Sequence, residues 1–302
     1  MFDTCETRCY KNTIALPGSV TFSAERQLLP QFVRRLSYSP QVRRVVRALG
    51  LQAKAQSLYY RLIQKDGSIQ VSAGGVAGRF FSPSARDLRI VEASAQEPAL
   101  NRLLSEVGPK DVVYDVGAHH GLYSILLARK VKHVIAFEPE RECFARLEQN
   151  VQINALTNVT CVPHAVGDRG RQDILFLGNG VGTMNSGQLG PEWTGGGRQT
   201  IDVVAGDQFR QSQNLSVPTV MKIDVEGQEG AVLDGFRQTL SLPECRLVCC
   251  EIHPALLPGG MTWENVVQVL KSYGFNDVRL YAHKTEFHAF ARKTSGNASR
   301  KE

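Results

Sequence analysis

No stretch of this chain is long and apolar enough to span a membrane, and its N-terminus has no apolar segment of signal-peptide type. A soluble, cytoplasmic protein is expected, and the Asn-x-Ser/Thr matches at Asn158, Asn214 and Asn297 carry no weight without a secretory route. The seven cysteines are odd in number and irregular in spacing, so they make no disulfide framework. Cys5 and Cys9 have no nearby His or Cys pair to complete a zinc site and read as free thiols. Cys249 and Cys250 sit in an apolar run and read as core. The G-x-G-x-x-G fingerprint is missing too, which argues against a dinucleotide cofactor. There is also no basic sheet interleaved with aromatics, as a single-strand binder would need, and nucleic acid is not the expected partner.

What is present suffices for a full domain core, with 302 residues that are 42% apolar. The net charge of +6 is unevenly placed: residues 1–75 hold eleven Lys/Arg against four Asp/Glu. Within them, Val42, Val45, Val46 and Leu49 fall at helical spacing with Arg43, Arg44 and Arg47 between. A second stripe runs from Leu51 to Ile63, whereas residues 1–24 lack periodicity. Residues 1–75 therefore read as a basic helical N-terminal extension. It is either a cap with a solvated arginine face or a surface for nucleic acid, anionic lipid or an acidic partner.

Two short runs around Gly74-Gly75 predict a hairpin over 68–82, followed by a helix over 97–107. Strands and helices then alternate: strand 112–116, helix 122–130, strand 133–138, helix 140–152 and strand 159–163. After an excursion come strand 219–225, helix 229–240, strand 247–252, helix 262–273 and strands 277–281 and 286–291. Such alternation predicts an α/β fold with a parallel sheet, and the closing hairpin predicts one antiparallel strand. In the excursion, 172–177 and 199–204 read as a hairpin pair. The intervening residues 178–197 hold eight of the 27 glycines, too many to pack a core, and read as a mobile lid or an inert loop.

The chemistry concentrates at three strand ends. In Asp115-Val116-Gly117-Ala118-His119-His120-Gly121 an acid closes a strand and two glycines turn the chain and admit a ligand's close approach. Without a pyrophosphate, a cofactor carrying an amino-acid moiety suits this loop. Glu138 ends the next strand 23 residues later and can accept both hydroxyls of an adenosine ribose. Asp168, in Ala-Val-Gly-Asp, stands at what reads as the matching edge of the third strand and can accept from an adenine amino group.

These segments, with MKIDVEGQEGAVLDGF and VCCEIHP following in order, resemble the FkbM family of S-adenosylmethionine-dependent methyltransferases over about residues 97–290. The resemblance implies a class I methyltransferase, Rossmann-like fold. Its sheet would have seven strands, mostly parallel with one antiparallel, in a domain of residues 76–302. It implies S-adenosylmethionine as cofactor and O-methylation of a hydroxylated small molecule or sugar. Asp115, Gly117 and Gly121, with Ala118 and His119 in the same loop, would line the methionine part, Glu138 the ribose and Asp168 the adenine. His119-His120 replaces the family's usual Asn-Ile.

Lys222, Asp224 and His253 are the candidate catalytic residues. Methyl transfer from a sulfonium is an in-line displacement, so alignment is the main task and a positioned base helps a hydroxyl nucleophile. Asp224 in Lys222-Ile223-Asp224-Val225-Glu226-Gly227 is the first candidate for that base; alternatively it pairs with Lys222 or caps the following helix. His253 in Glu251-Ile252-His253-Pro254 is the other candidate, or Asp224, Glu251 and His253 together hold a divalent ion. Glu226 and Glu229 read as helix N-terminal charges without a catalytic part. The rival function is a catalytically silent adenosyl- or RNA-binding module using the basic segment. The acceptor's identity, O or N transfer, a metal and the oligomeric state are not fixed by the sequence.

Overall fold

The structure, a computed structural model, describes residues 67–82, 97–178, 181–184, 197–283 and 285–294, with Arg44, Ala48, Val91 and Ala95 as isolated positions. The helices expected in the basic extension, Cys5 and Cys9, and most of the glycine-rich segment lie outside the described residues.

β1 (Ser68–Ala73) and β2 (Val76–Phe81) pair antiparallel about Gly74-Gly75, as predicted. A two-stranded ribbon is marginal alone, and this one is fixed by what it packs on. Ile69, Val71 and Phe80 join one apolar cluster with Leu100, Leu103, Ile125 and Leu126. Two buried side-chain amides close the outer edge of β2. Asn150 Oδ1 accepts from Phe81 N at 2.7 Å, and Asn154 Oδ1 accepts from Arg79 N at 2.8 Å. The domain boundary expected at residue 75 thus falls in the turn of one paired unit, and β1 packs with the domain that follows.

In chain order there follow α1 (Pro98–Glu106), β3 (Val112–Val116), α2 (Leu122–Ala128), β4 (His133–Phe137), α3 (Arg141–Ile153) and β5 (Val159–Val162). Next are β6 (Ala165–Gly167), β7 (Arg171–Gly178), β8 (Val181–Met184), β9 (Gly197–Ala205) and α4 (Gly206–Ser212). The last are β10 (Val220–Ile223), α5 (Glu229–Gly235), α6 (Arg237–Ser241), β11 (Leu247–Ile252), α7 (Trp263–Ser272), β12 (Asp277–His283) and β13 (Glu286–Arg292).

The main sheet runs β12-β13-β11-β10-β3-β4-β5. Its β11, β10, β3, β4 and β5 are parallel, and β13 lies antiparallel to both its neighbours. This is the mostly parallel seven-stranded sheet that was expected. Alternation along each strand assigns its side chains to two cores. Tyr114, Val116, Met221 and Ile223 pack with Phe236, while Val113, Val134 and Val220 pack with Ile125 and Leu126. Burial on both faces explains why these strands read as unbroken apolar runs; Cys249 and Cys250 are buried among them. From β3 the chain proceeds to β4 and β5 on one side, and it returns on the other side at β10. The strand order therefore reverses between β3 and β10, where α/β sheets open a ligand crevice.

Some elements depart from expectation. The helix expected over 229–240 is broken at Phe236, which is the cap of both α5 and α6. α3 starts after Glu140, whose carboxylate accepts from Glu142 N and Cys143 N and so caps the helix. A second sheet, β6-β9-β7-β8, contains the predicted hairpin pair, with Gln172 opposite Asp202, and adds β6 and β8. No helix among the described residues is long and apolar enough to cross a membrane.

Candidate active site

A cavity of about 250 Å³ opens where the strand order reverses, over the C-terminal ends of β10, β3 and β4. Of the residues expected at the cofactor, Gly117, Ala118, His119 and Glu138 line it. Asp115, Gly121 and Asp168 do not.

The glycines of the β3 loop are needed for packing as much as for turning. Gly117 has φ +80°, and a Cβ there would stand 1.8 Å from the carbonyl oxygen of Asp224. At Gly121, φ +84°, a Cβ would meet Leu147 Cδ1 at 2.5 Å. The close approach predicted for a ligand is thus made by the β10 loop and by α3. His119 also turns in the left-handed region, at φ +51°, and its ring stacks on His120 at 4.0 Å. Asn150 Nδ2 donates to His120 O at 2.7 Å, so the amide that holds the hairpin also fixes this loop.

Glu138 is held by backbone. Oε2 accepts from His119 N at 2.7 Å and Oε1 from Glu140 N at 2.8 Å. Each oxygen keeps a further lone pair for a donor. Burial, chiefly, pushes its pKa up to about 7, although the two amides and Lys222 pull the other way.

Asp115 is fully buried behind the wall. Its Oδ2 accepts from Ser124 Oγ at 2.6 Å and its Oδ1 lies 3.3 Å from Lys222 Nζ. It reaches the cavity only through that lysine. Lys222 Nζ donates to Gly117 O at 2.8 Å and stands 3.3 Å from Asp224 Oδ2. Burial alone would lower its pKa, but Asp224, Asp115 and Glu251 outweigh this and raise it. Lys222 is therefore a fixed cation that ties the β3 loop to the β10 loop.

Asp168 is placed differently from expectation. The third strand of the main sheet is β5; the chain then leaves that sheet, and Asp168 follows β6 in the other one. There it is exposed and pairs with Arg171 at 2.8 Å. Near Glu138 the wall is apolar instead, with Phe137, Ala165, Val166 and Leu175.

Asp224 lines the cavity, whereas His253 stands behind it. Nδ1 of His253 lies 2.7 Å from Glu229 Oε1, and Nε2 faces Asp224 Oδ1 at 3.8 Å and Glu226 Oε2 at 3.9 Å. Burial lowers the pKa of His253, but the bond to Glu229 and the carboxylates of Asp224, Glu229 and Glu226 raise it to about 9. Glu229 is fully buried and also accepts from Gly227 N at 3.1 Å. It does not stand as a solvated charge at a helix start. Glu226 lines the cavity from a left-handed φ of +50°. Glu251 turns away to His288, its partner across the β11–β13 pair, at 3.2 Å. The expected set of Asp224, Glu251 and His253 is thus replaced by Asp224, Glu226 and His253, whose ligating atoms lie within 4.8 Å of one another.

Glu97 was missed by sequence reasoning because it carries no local signal beyond preceding a helix-starting proline. It lines the cavity, accepts from Tyr123 OH at 3.1 Å and has its pKa raised to about 7, mainly by burial and then by Glu251 and Asp224.

The site fits S-adenosylmethionine in its polar and apolar parts. A buried carboxylate with free acceptor capacity suits two ribose hydroxyls, and the adjoining apolar wall suits a base.

A family model and one relative give the same direction. The family described as "Methyltransferase FkbM domain" matches residues 115–276. The hexuronic acid methyltransferase AglP of Haloferax volcanii is 30% identical over 204 residues, covering 66% of this chain and 81% of that protein. Among solved structures, the methyltransferase FkbM of Methylobacillus flagellatus is 16% identical with a TM-score of 0.45. That alignment covers 68% of this chain and 59% of the other. The magnesium protoporphyrin IX methyltransferase ChlM of Synechocystis, solved with bound SAM, is 13% identical with a TM-score of 0.42. It is matched over 69% of this chain and 83% of its own.

Proposed function

The chain belongs to the FkbM family of S-adenosylmethionine-dependent methyltransferases, and from that premise we propose that it methylates a hydroxyl oxygen of a sugar-like acceptor. The observation that carries this is one cavity with two kinds of carboxylate on opposite sides. Glu138 is held by amides at the end of β4, and Asp224 stands at the end of β10.

S-adenosylmethionine supplies an electrophilic methyl group whose sulfonium leaves as a neutral thioether. The residues of the chain bind and align. Glu138 accepts the ribose hydroxyls, and Gly117, Ala118 and His119 form the turn beside the methionine part. Lys222 keeps Asp224 and Gly117 in one arrangement across the strand-order reversal. Asp224 orients the acceptor hydroxyl and takes its proton as the oxygen–methyl bond forms. Asp224 is favoured over His253 because it lines the cavity and His253 stands behind it. The similarity to a hexuronic acid methyltransferase supports a polyhydroxylated acceptor.

The test is labelled-methyl transfer to a panel of hexoses and hexuronic acids, by wild type and Asp224→Asn. The variant should bind S-adenosylhomocysteine as wild type does while kcat falls by about 100-fold or more. Equal kcat in the two proteins removes Asp224 from the mechanism. Transfer to amines but to no hydroxyl removes the O-methylation reading.

A further inference from the structure

We propose that Asp224, Glu226 and His253 bind one divalent metal cation, whose open positions face the cavity and take the acceptor's hydroxyl oxygen. The site itself stands on geometry, and only its role toward the acceptor rests on the methyl-transfer reading.

The imidazole is set up as a ligand, with the cation displacing to solvent the Nε2 proton that the facing carboxylates hold by charge. Metal-bound histidines almost always give their other ring N–H to a carboxylate or carbonyl, which fixes the ring and aims the ligating nitrogen. Here Glu229, fully buried, takes Nδ1 at 2.7 Å. The ring is only 6% exposed, yet at Nε2 the facing carboxylate oxygens stand at 3.8 and 3.9 Å. Those separations are too long for hydrogen bonds. They resemble the spacing between two ligands of one ion: donors at about 2.1 Å from a metal lie roughly 3 to 3.5 Å apart. Each carboxylate needs to close by less than about 1 Å.

The carboxylates are free for this. Lys222 occupies Asp224 Oδ2 and leaves Oδ1 toward His253. Glu226 has no other ion pair than His253 among the described residues. Glu251, which shares a second possible cluster with His253 and Glu286, is already paired with His288.

Two carboxylate oxygens and one imidazole suit Mn²⁺ or Zn²⁺ better than Ca²⁺. Three protein ligands leave positions open, as in catalytic metal sites. Asp224 and Glu226 both line the cavity, so those positions face the space where an acceptor enters. A hydroxyl bound there loses its proton to solvent more readily. Its oxygen then forms the bond to the methyl carbon as the carbon–sulfur bond breaks and the electron pair stays on sulfur. With the ion bound, Asp224 aligns the acceptor through the ion and the proton leaves to solvent in place of a direct transfer to Asp224; Glu229 is a positioning residue.

The probe is Mn²⁺ titrated into the full-length, chelator-stripped protein, with bound ion counted by electron paramagnetic resonance and S-adenosylhomocysteine binding measured in parallel. One Mn²⁺ per chain is expected. Glu226→Gln should weaken it at least tenfold and Glu229→Gln by roughly 10- to 100-fold, whereas Glu286→Gln should retain it. Circular dichroism checks each fold, and Glu226, partly exposed on a loop, is the variant least able to disturb it. Absence of a saturable Mn²⁺ site in protein that binds S-adenosylhomocysteine overturns the metal site and leaves the methyl-transfer reading standing. A site that survives both Glu226→Gln and His253→Asn overturns it as well. Mn²⁺ bound by those residues without any S-adenosylhomocysteine binding upholds the site and sinks the methyl-transfer reading instead.

Discussion

The two sides of the cavity hold their carboxylates by different means. On the β4 side, Glu138 is fixed by amides of residues 119 and 140, both beside the turn that it closes. On the β10 side, Asp224 and Glu226 are placed by side chains: Lys222 from β10, Glu229 from α5 through His253 after β11. Backbone-held groups keep their geometry whatever their neighbours become. A network of side chains depends on each member, so removal of one leaves others buried and unpaired. The cofactor side is thus held by backbone within one strand–helix–strand unit, and the acceptor side by side chains of the assembled sheet.

Breaking the junction between the sides should have the largest effect. Gly117→Ala places a methyl group against the Asp224 carbonyl at a φ that alanine disfavours. A loss of at least about 3 kcal/mol in urea denaturation is expected. Lys222→Met follows, because it leaves Asp115 buried without its cation; about 3 kcal/mol should be lost. If Lys222→Met unfolds at the wild-type urea midpoint, the two sides are not coupled through it.

Glu138→Gln sharpens the contrast. It keeps the shape and loses the charge, so S-adenosylhomocysteine binding should weaken by roughly tenfold or more in calorimetry. Folding should lose about 1–3 kcal/mol, since both Glu138 oxygens accept from backbone N–H groups and the glutamine NH2 leaves one of them without an acceptor. The folded chain retains the Glu138 proton up to about pH 7 while its ordinary value is 4.5. In that window the folded state binds more protons than the unfolded one, so wild-type stability falls as pH rises. Ligand affinity should rise through about pH 7 as the carboxylate ionises, helped by the two amides and Lys222 and opposed by burial and Glu140. Glu138→Gln should flatten its part of both trends, and unchanged slopes would show that another group sets them.

The smallest effect is expected from Glu97→Gln. Glu97 faces Glu251, Asp224, Tyr123 and His288, and its raised value carries the same sign. The variant should be more stable than wild type above pH 7 and indistinguishable near pH 4, by thermal unfolding at both.

Much of this was legible in the chain. The paired cores of the sheet announce themselves as apolar runs, with Glu138 and Asp224 directly after the last residues of β4 and β10 and Asp115 as a buried acid next to the last residue of β3. β6 was not legible, since three residues carry no period. Asp168 was misplaced for that reason: without β6, the third strand of the sheet and the following acid read as one element. Glu97, Glu226 and Glu229 each have a local explanation as a helix start, which hides their second partners.

The strands of the main sheet, the turn at Gly117 and the acid at the end of β4 are written in local pattern, because they depend on contacts within about two dozen residues. It takes the assembled sheet to make Asp115 a buried partner of Lys222, to give Glu251 to His288, and to let Glu229 aim His253 toward Asp224 and Glu226. Those pairings join residues from strands that neighbour one another only after the order reverses at β3, and no local pattern encodes which neighbour a buried charge will meet.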